Sequence, residues 1–337
     1  MKTALSMLLG CVVLLTVPAS KANVLITDPT GAFSVGIGPE GELFDDSIFP
    51  CCTFGIGFRR NADGFDPLFP STPRDSWGVA TSSGAAFADY TVFGGLNDFN
   101  MAPASAPTGT LAAGVGATYV TNTGNGLTVT QQYGFAAPNI LRIIETVTNN
   151  GAATVVLFQR DVDWDVAPTE FDEVSMGNGT AMSGVFGPII DSSYYGLEYP
   201  DPTFSYIFSC VLGCSVQGDT GGGIKLDLGL LGTGRSVTFN FYYGISQVGQ
   251  DVAALDAQAR SLGVTYDILT TSSGANFGEQ SAFIGFGSGV GSTVPEPASV
   301  ALFGTALASM VGMAWRRRRT ALLRGERGQI PAAALKG

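Results

Sequence analysis

The densest set of chemistry-bearing side chains in this 337-residue chain is "RDVDWDVAPTEFDE", Arg160 to Glu173. It supplies Asp161, Asp163, Asp165, Glu170 and Asp172 within one short stretch. If Gln159 to Val166 is extended, alternation sets Asp161, Asp163 and Asp165 on one face and Val162, Trp164 and Val166 on the other. Carboxylates repeating every ~6–7 Å repel one another unless water or a cation lies between them. The chemistry this pattern offers is an oxygen shell for Ca²⁺, with the chain bulging near Asp165 and Glu170 or Asp172 swinging round to complete it. It is not an EF-hand: Val166 stands where the sharp turn needs glycine, and Pro168 interrupts the loop. The alternative is a solvated acidic strand edge that discourages sheet-to-sheet association, with Trp164 in the core.

A second set lies in "GFDPLFPSTPRDSWGV", Gly64 to Val79, a loop stiffened by three prolines. Trp77 could offer its face to a sugar ring while Arg74 and Asp75 hydrogen-bond the hydroxyls. The alternative is that Arg74 and Asp75 pin the loop and Trp77 fills the core.

Histidine is absent. This excludes Ser-His-Asp and Cys-His nucleophilic chemistry, His-bearing zinc sites and His proton shuttles. Paired carboxylates could run glycoside hydrolysis, but the abundance of acids singles out no pair, so no catalytic residue is assigned.

The two ends of the chain say where these groups act. Met1-Lys2-Thr3 is a basic start, Ala4 to Val17 is apolar, and Pro18 to Ala22 offers small residues at a cleavage site. Residues 1–22 read as a signal peptide removed by signal peptidase, leaving Asn23 as the mature start. The apolar run is shorter than the ~20 residues a spanning helix needs. Near the other end, Val294-Pro295-Glu296-Pro297 precedes Ala298 to Trp315, a stretch without charge, and then Arg316, Arg317, Arg318 and Arg319. That stretch can cross a bilayer as a helix, and the arginines hold its far end in the cytoplasm. The two prolines keep the glutamate-bearing strip extended outside the membrane.

This order of strip, apolar span and basic block resembles the PEP-CTERM sorting signal of Gram-negative bacteria. The resemblance implies recognition by the membrane protease and transpeptidase exosortase, a transiently anchored precursor, and association with exopolysaccharide or biofilm.

The body between the signals carries eight basic residues against 26 acidic ones, a net charge of −18. That balance repels nucleic acid and favours divalent cations. Its "GLTVTQQYGF", "ILRIIETVTNNGAATVVLFQRDVDWDV" and "SVTFNFYYGI" alternate apolar with polar residues and read as strands. Asn149-Asn150-Gly151 predicts a hairpin turn within the second of these. Val248 to Leu262 has the one helical pattern, with Val252, Leu255, Ala259 and Leu262 on one side and Gly263 ending it.

The expected fold class is all-β: a large antiparallel β-sandwich with one short capping helix, plus the signal peptide and the C-terminal transmembrane helix. The expected segments are a signal peptide (1–22), the sandwich body (23–287), a Gly/Ser linker (288–294), the sorting and anchor segment (295–319) and a disordered tail (320–337). "ITDPTGAFSVGIGPEGELFD" and "DWDV" also resemble the supersandwich of the galactose-mutarotase-like superfamily.

Cys51, Cys52, Cys210 and Cys214 remain after signal removal, an even number in an exported chain, and read as disulfides. Bridging the adjacent pair would distort its peptide, so cross-links from Cys51 and Cys52 to Cys210 and Cys214 are expected. A four-thiolate zinc site would need spaced ligands that Cys51-Cys52 lacks. The functional expectation is a non-enzymatic structural or binding protein of the envelope or extracellular matrix, without cofactor unless Ca²⁺ binds. The alternative is an exported carbohydrate-active enzyme or carbohydrate-binding protein.

Overall fold

The computed structural model describes residues 23–45, 55–68, 74–91, 95–103, 116–169, 171–179, 185–191, 201–203, 215–272 and 280–287. Residues 1–22 and 288–337, where the sequence places the expected signal peptide, linker, sorting segment and tail, lie outside them. In chain order the strands begin with β1 (Val24–Thr27), β2 (Phe33–Ile37), β3 (Phe58–Arg60), β4 (Arg74–Thr81), β5 (Gly84–Thr91) and β6 (Gly95–Phe99). They continue with β7 (Met101–Pro103), β8 (Thr118–Thr123), β9 (Leu127–Ala137), β10 (Ile140–Asn149), β11 (Thr154–Asp163) and β12 (Glu173–Gly179). The last are β13 (Val185–Asp191), β14 (Ser215–Gly218), β15 (Gly221–Leu231), β16 (Ser236–Ile245), β17 (Tyr266–Ser272) and β18 (Ser281–Gly287), with helix α1 (Val252–Ser261) before β17.

These strands form an all-β fold of antiparallel sheets. One sheet has nine strands in the order β14-β12-β17-β18-β16-β10-β9-β8-β7, a second has six in the order β13-β15-β11-β4-β5-β6, and a third joins β1, β2 and β3. The two large sheets face each other through aromatic side chains. Phe158 of β11 meets Phe239 and Phe241 of β16 at ring separations of 5.0 and 5.7 Å, and Trp164 meets Tyr243 edge-on at 5.7 Å. Alternation explains why: in β10, Leu141, Ile143 and Val147 are wholly buried on one face while Arg142 on the other is exposed.

The Asn149 to Gly151 segment does not make a hairpin. β10 belongs to the nine-stranded sheet and β11 to the six-stranded one, so the chain crosses between layers there. A second crossing, from β15 to β16, lies beside it: Asn149 N donates to Arg235 O at 3.0 Å and Asn149 Nδ2 to Leu231 O at 2.8 Å. Asn149 also turns the chain by accepting from Gly151 N at 2.9 Å. The turn residues mark a change of direction, while the pairing partner is decided by which layer the next apolar face must cover.

Helix α1 starts where Asp251 caps it, accepting from Ala254 N at 2.7 Å, and ends before Gly263, whose φ of +93° suits glycine. Leu255 and Ala259 cover the outer side of the nine-stranded sheet against Ile140, Tyr242, Leu269 and Phe283. The helix caps the sheet as its spacing implies. Among the described residues no helix is long and apolar enough to cross a membrane.

After β2 the chain enters the interior as a strap from Gly38 to Asp45, almost wholly buried. Polar groups on both sheets satisfy its backbone: from β4, Trp77 Nε1 donates to Glu40 O at 2.9 Å and Asp75 Oδ2 accepts from Leu43 N at 2.7 Å, and from β9, Tyr133 OH donates to Gly41 O. Gly41 has φ +90°, and a Cβ there would lie 2.0 Å from Gln131 Oε1. Glycine is therefore required where the strap passes closest to β9.

Candidate functional site

The strap, β4, β9, β10, β11 and β16 converge on one buried guanidinium. Arg160 of β11 has no exposed surface and makes four hydrogen bonds: Nη1 to Glu145 Oε1 at 3.0 Å, Nη2 to Asp75 Oδ2 and to Gly41 O, each at 3.1 Å, and Nε to Tyr243 OH at 2.8 Å. Tyr243 OH in turn donates to Asp75 Oδ1 at 2.6 Å. Gln131 Nε2 donates to Glu145 Oε1 at 3.2 Å, and Tyr133 OH donates to Gly41 O. The guanidinium carbon also lies 5.3 Å from the Tyr243 ring centre and 5.9 Å from that of Tyr133. Asp75 and Arg160 come from the six-stranded sheet, and Glu145, Gln131, Tyr133 and Tyr243 from the nine-stranded one. One cation therefore ties both layers and the strap together.

Burial raises the proton affinity of the carboxylates in this interior. Glu145 is pushed to about 7 by burial, with Arg160 and Gln131 pulling the other way. Glu42 on the strap reaches about 8 through burial, its neighbours Glu40 and Asp75 adding to the rise. Asp75 is raised as well, burial outweighing Arg160, Tyr243 and Leu43 N. The arrangement can hold charge and position backbone. It offers no accessible surface to a reactant, because Arg160, Glu145 and Asp75 are all inside the sandwich.

The acidic stretch divides. Val162, Trp164 and Val166 join the core, as alternation implies, and Asp161, Asp163 and Asp165 are buried too. β11 lies between β15 and β4, so this is an interior strand and the solvated-edge alternative does not hold. Asp161 accepts from Gln159 Nε2 at 2.7 Å. Asp165 lies near Glu173, helping burial push that carboxyl to about 8. Glu173 turns back to accept from Val166 N at 3.1 Å and Phe171 N at 3.0 Å, closing the loop. Asp172 is exposed and accepts from Gln217 Nε2 at 3.0 Å. Among the described residues no three acidic or thiol side chains group as metal ligands. Glu170 lies outside those residues.

Of the proline-loop group, Trp77 is fully buried and stacks on Phe158 at 6.2 Å, and Asp75 is the buried partner of Arg160. Neither presents a surface to a sugar, so their burial supports the packing alternative. Arg74 opens β4 opposite Asp163. Cys51, Cys52, Cys210 and Cys214, the strip Val294 to Pro297 and the arginines 316 to 319 lie outside the described residues.

The Arg160 cluster was missed at the level of sequence, although a signal existed. In "IIETV", Glu145 shares a strand face with Ile143 and Val147, and in "FQRDVDW" Arg160 shares one with Phe158, Val162 and Trp164. Two opposite charges at inward positions of apolar strands point to a buried pair.

Residues 293–319 match the model of the PEP-CTERM protein-sorting motif. The chain is thereby an exported, exosortase-processed protein of a Gram-negative-type envelope, and its precursor associates with the membrane. No curated protein matches the chain, nor does any solved structure, so the likeness to the galactose-mutarotase-like supersandwich is not confirmed.

Proposed function

We propose that the body is a non-catalytic structural or binding module of the cell envelope or extracellular matrix, associated with exopolysaccharide and delivered by exosortase processing. The observation that carries this reading is the use of the interior charges. Arg160, Asp75 and Glu145 bind one another and the strap, instead of facing an accessible cleft. Trp77, the indole that the sequence offers to a sugar ring, is a core residue, as is Trp164. The body's net charge of −18 sets such a module apart from nucleic acid.

Sorting follows from the tail. Val294 to Pro297 is the presented strip, Ala298 to Trp315 the transient anchor, and Arg316 to Arg319 the block that stops transfer. The N-terminal signal peptide starts export.

Incubating the purified full chain with exopolysaccharide from the producing cells tests the role of the body. The module is expected to sediment with the polymer and to release no new reducing ends. Release of reducing ends would establish the rival reading, a carbohydrate-active enzyme.

A further inference from the structure

On the face of β11 opposite Arg160, Gln159 stands directly across from Lys225 of β15, and Asp161 follows two residues along on the same face. Gln159 Nε2 donates to Asp161 Oδ2 at 2.7 Å, and both side chains are buried. Asp161 fits because β15 has glycine beside it: a Cβ on Gly223 would lie 1.9 Å from Asp161 Oδ1. Directly opposed residues of an antiparallel pair hold their Cβ atoms ~4.5–5.5 Å apart, well within the reach of a lysine amine to a glutamine carboxamide. Burial lowers the proton affinity of Lys225, against the charges of Asp201 and Asp161, which favours the neutral, nucleophilic amine. Lys225 is also the only lysine between Asn23 and Val294.

We propose that Lys225 and Gln159 become joined by an intramolecular isopeptide bond, with Asp161 as the catalytic acid and base. The lone pair of Lys225 Nζ attacks Cδ of Gln159. The Asp161 carboxylate takes a proton from Nζ as the new C–N bond forms and delivers it to Nε2 as the Cδ–Nε2 bond breaks. Ammonia leaves, one amide replaces another, and nothing is oxidised or reduced. The product ties two adjacent strands of the six-stranded sheet covalently, with no thiol involved.

The test is tandem mass spectrometry on peptides from the full-length protein, exported by its own cells and unfolded before digestion. The expected result is a branched peptide joining β11 to β15, lighter by about 17 Da than its two linear parts together. It is lost in Lys225→Arg and in Gln159→Met, and Asp161→Asn leaves mostly linear peptides. Linear peptides carrying unmodified Lys225 and Gln159 in the wild-type digest would overturn the proposal whatever the variants do. A branched peptide lighter by about 18 Da would place the bond on a carboxyl group and overturn Gln159 as the acceptor.

Discussion

Arg160 and Glu145 meet across the gap between the two large sheets, Nη1 to Oε1 at 3.0 Å, with neither side chain exposed. They sit on β11 and β10, consecutive strands that lie in opposite layers because the chain crosses over at Asn149 to Gly151. The same guanidinium reaches Asp75 and the strap carbonyl of Gly41. The pair is thus the point at which both layers and the buried strap are held in one register.

Removing the cation alone should be worse than removing it together with one of its carboxylate partners. Arg160→Met leaves Asp75 and Glu145 buried without their counter-charge, and a loss of ~3–5 kcal/mol is expected from urea unfolding. Adding Glu145→Gln to that variant should restore part of the loss, since one uncompensated carboxylate is then gone. Equal stability of Arg160→Met and wild type would remove the cluster from the account.

Stability should fall as pH rises from mildly acidic to alkaline. Burial lifts Asp66 to about 6, Glu145 to about 7, and Glu42, Glu173 and Asp267 to about 8, all above their ordinary values of 3.8 or 4.5. Each group binds more protons folded than unfolded between its two values. Its contribution is complete below the unfolded value and is lost by the time pH has passed the folded one. Two groups act the other way at low pH. Asp28 is held down by hydrogen bonds from Thr30 and Phe33 against its burial, and Asp63 by Arg60, so their contribution is lost below about 4. Thermal midpoints measured from pH 3 to 9 should peak at about 4 to 5 and decline toward 8. A midpoint that rises from pH 5 to 8 would contradict this.

Trp77 should behave as a core residue. Trp77→Ala is expected to cost ~3–5 kcal/mol in the same unfolding measurement. Added oligosaccharides should leave the tryptophan emission of the body, residues 23–294, unchanged, because its two tryptophans, Trp77 and Trp164, are both fully buried. A saturable change in emission with one glycan would return the proline loop to the list of binding surfaces.

Calcium should have no effect on the unfolding midpoint. Asp161 is engaged by Gln159, Asp165 stands beside Glu173, and Asp172 is engaged by Gln217, so these aspartates are used in separate places. A midpoint that rises with Ca²⁺ and falls in chelator would restore the oxygen-shell reading.

Much of the strand and helix structure is legible in the sequence. Alternation of apolar with polar residues in β9, β10 and β16 marks strands with a mainly apolar face, and the spacing of Val252, Leu255 and Ala259 marks the capping helix. The Asn149 to Gly151 turn was legible, but its consequence was not. Period-two patterning tells which face of a strand is buried and says nothing about which sheet the strand joins. The strap was hidden for another reason: "GPEGE" has the composition of an exposed turn, and only tertiary contacts with Trp77, Tyr133 and Arg160 allow it inside. The sorting segment was readable because it acts through linear order, with proline, apolar and basic blocks each doing their work against a bilayer.

The central claim, export followed by exosortase processing, is tested most directly by mass spectrometry of the cell-associated and released forms of the protein. The account predicts a released form that begins at Asn23 and ends at or before the Pro295 to Pro297 strip, with the longer form confined to membranes. A released protein that continues through Arg316 to Arg319 to Gly337 would contradict it.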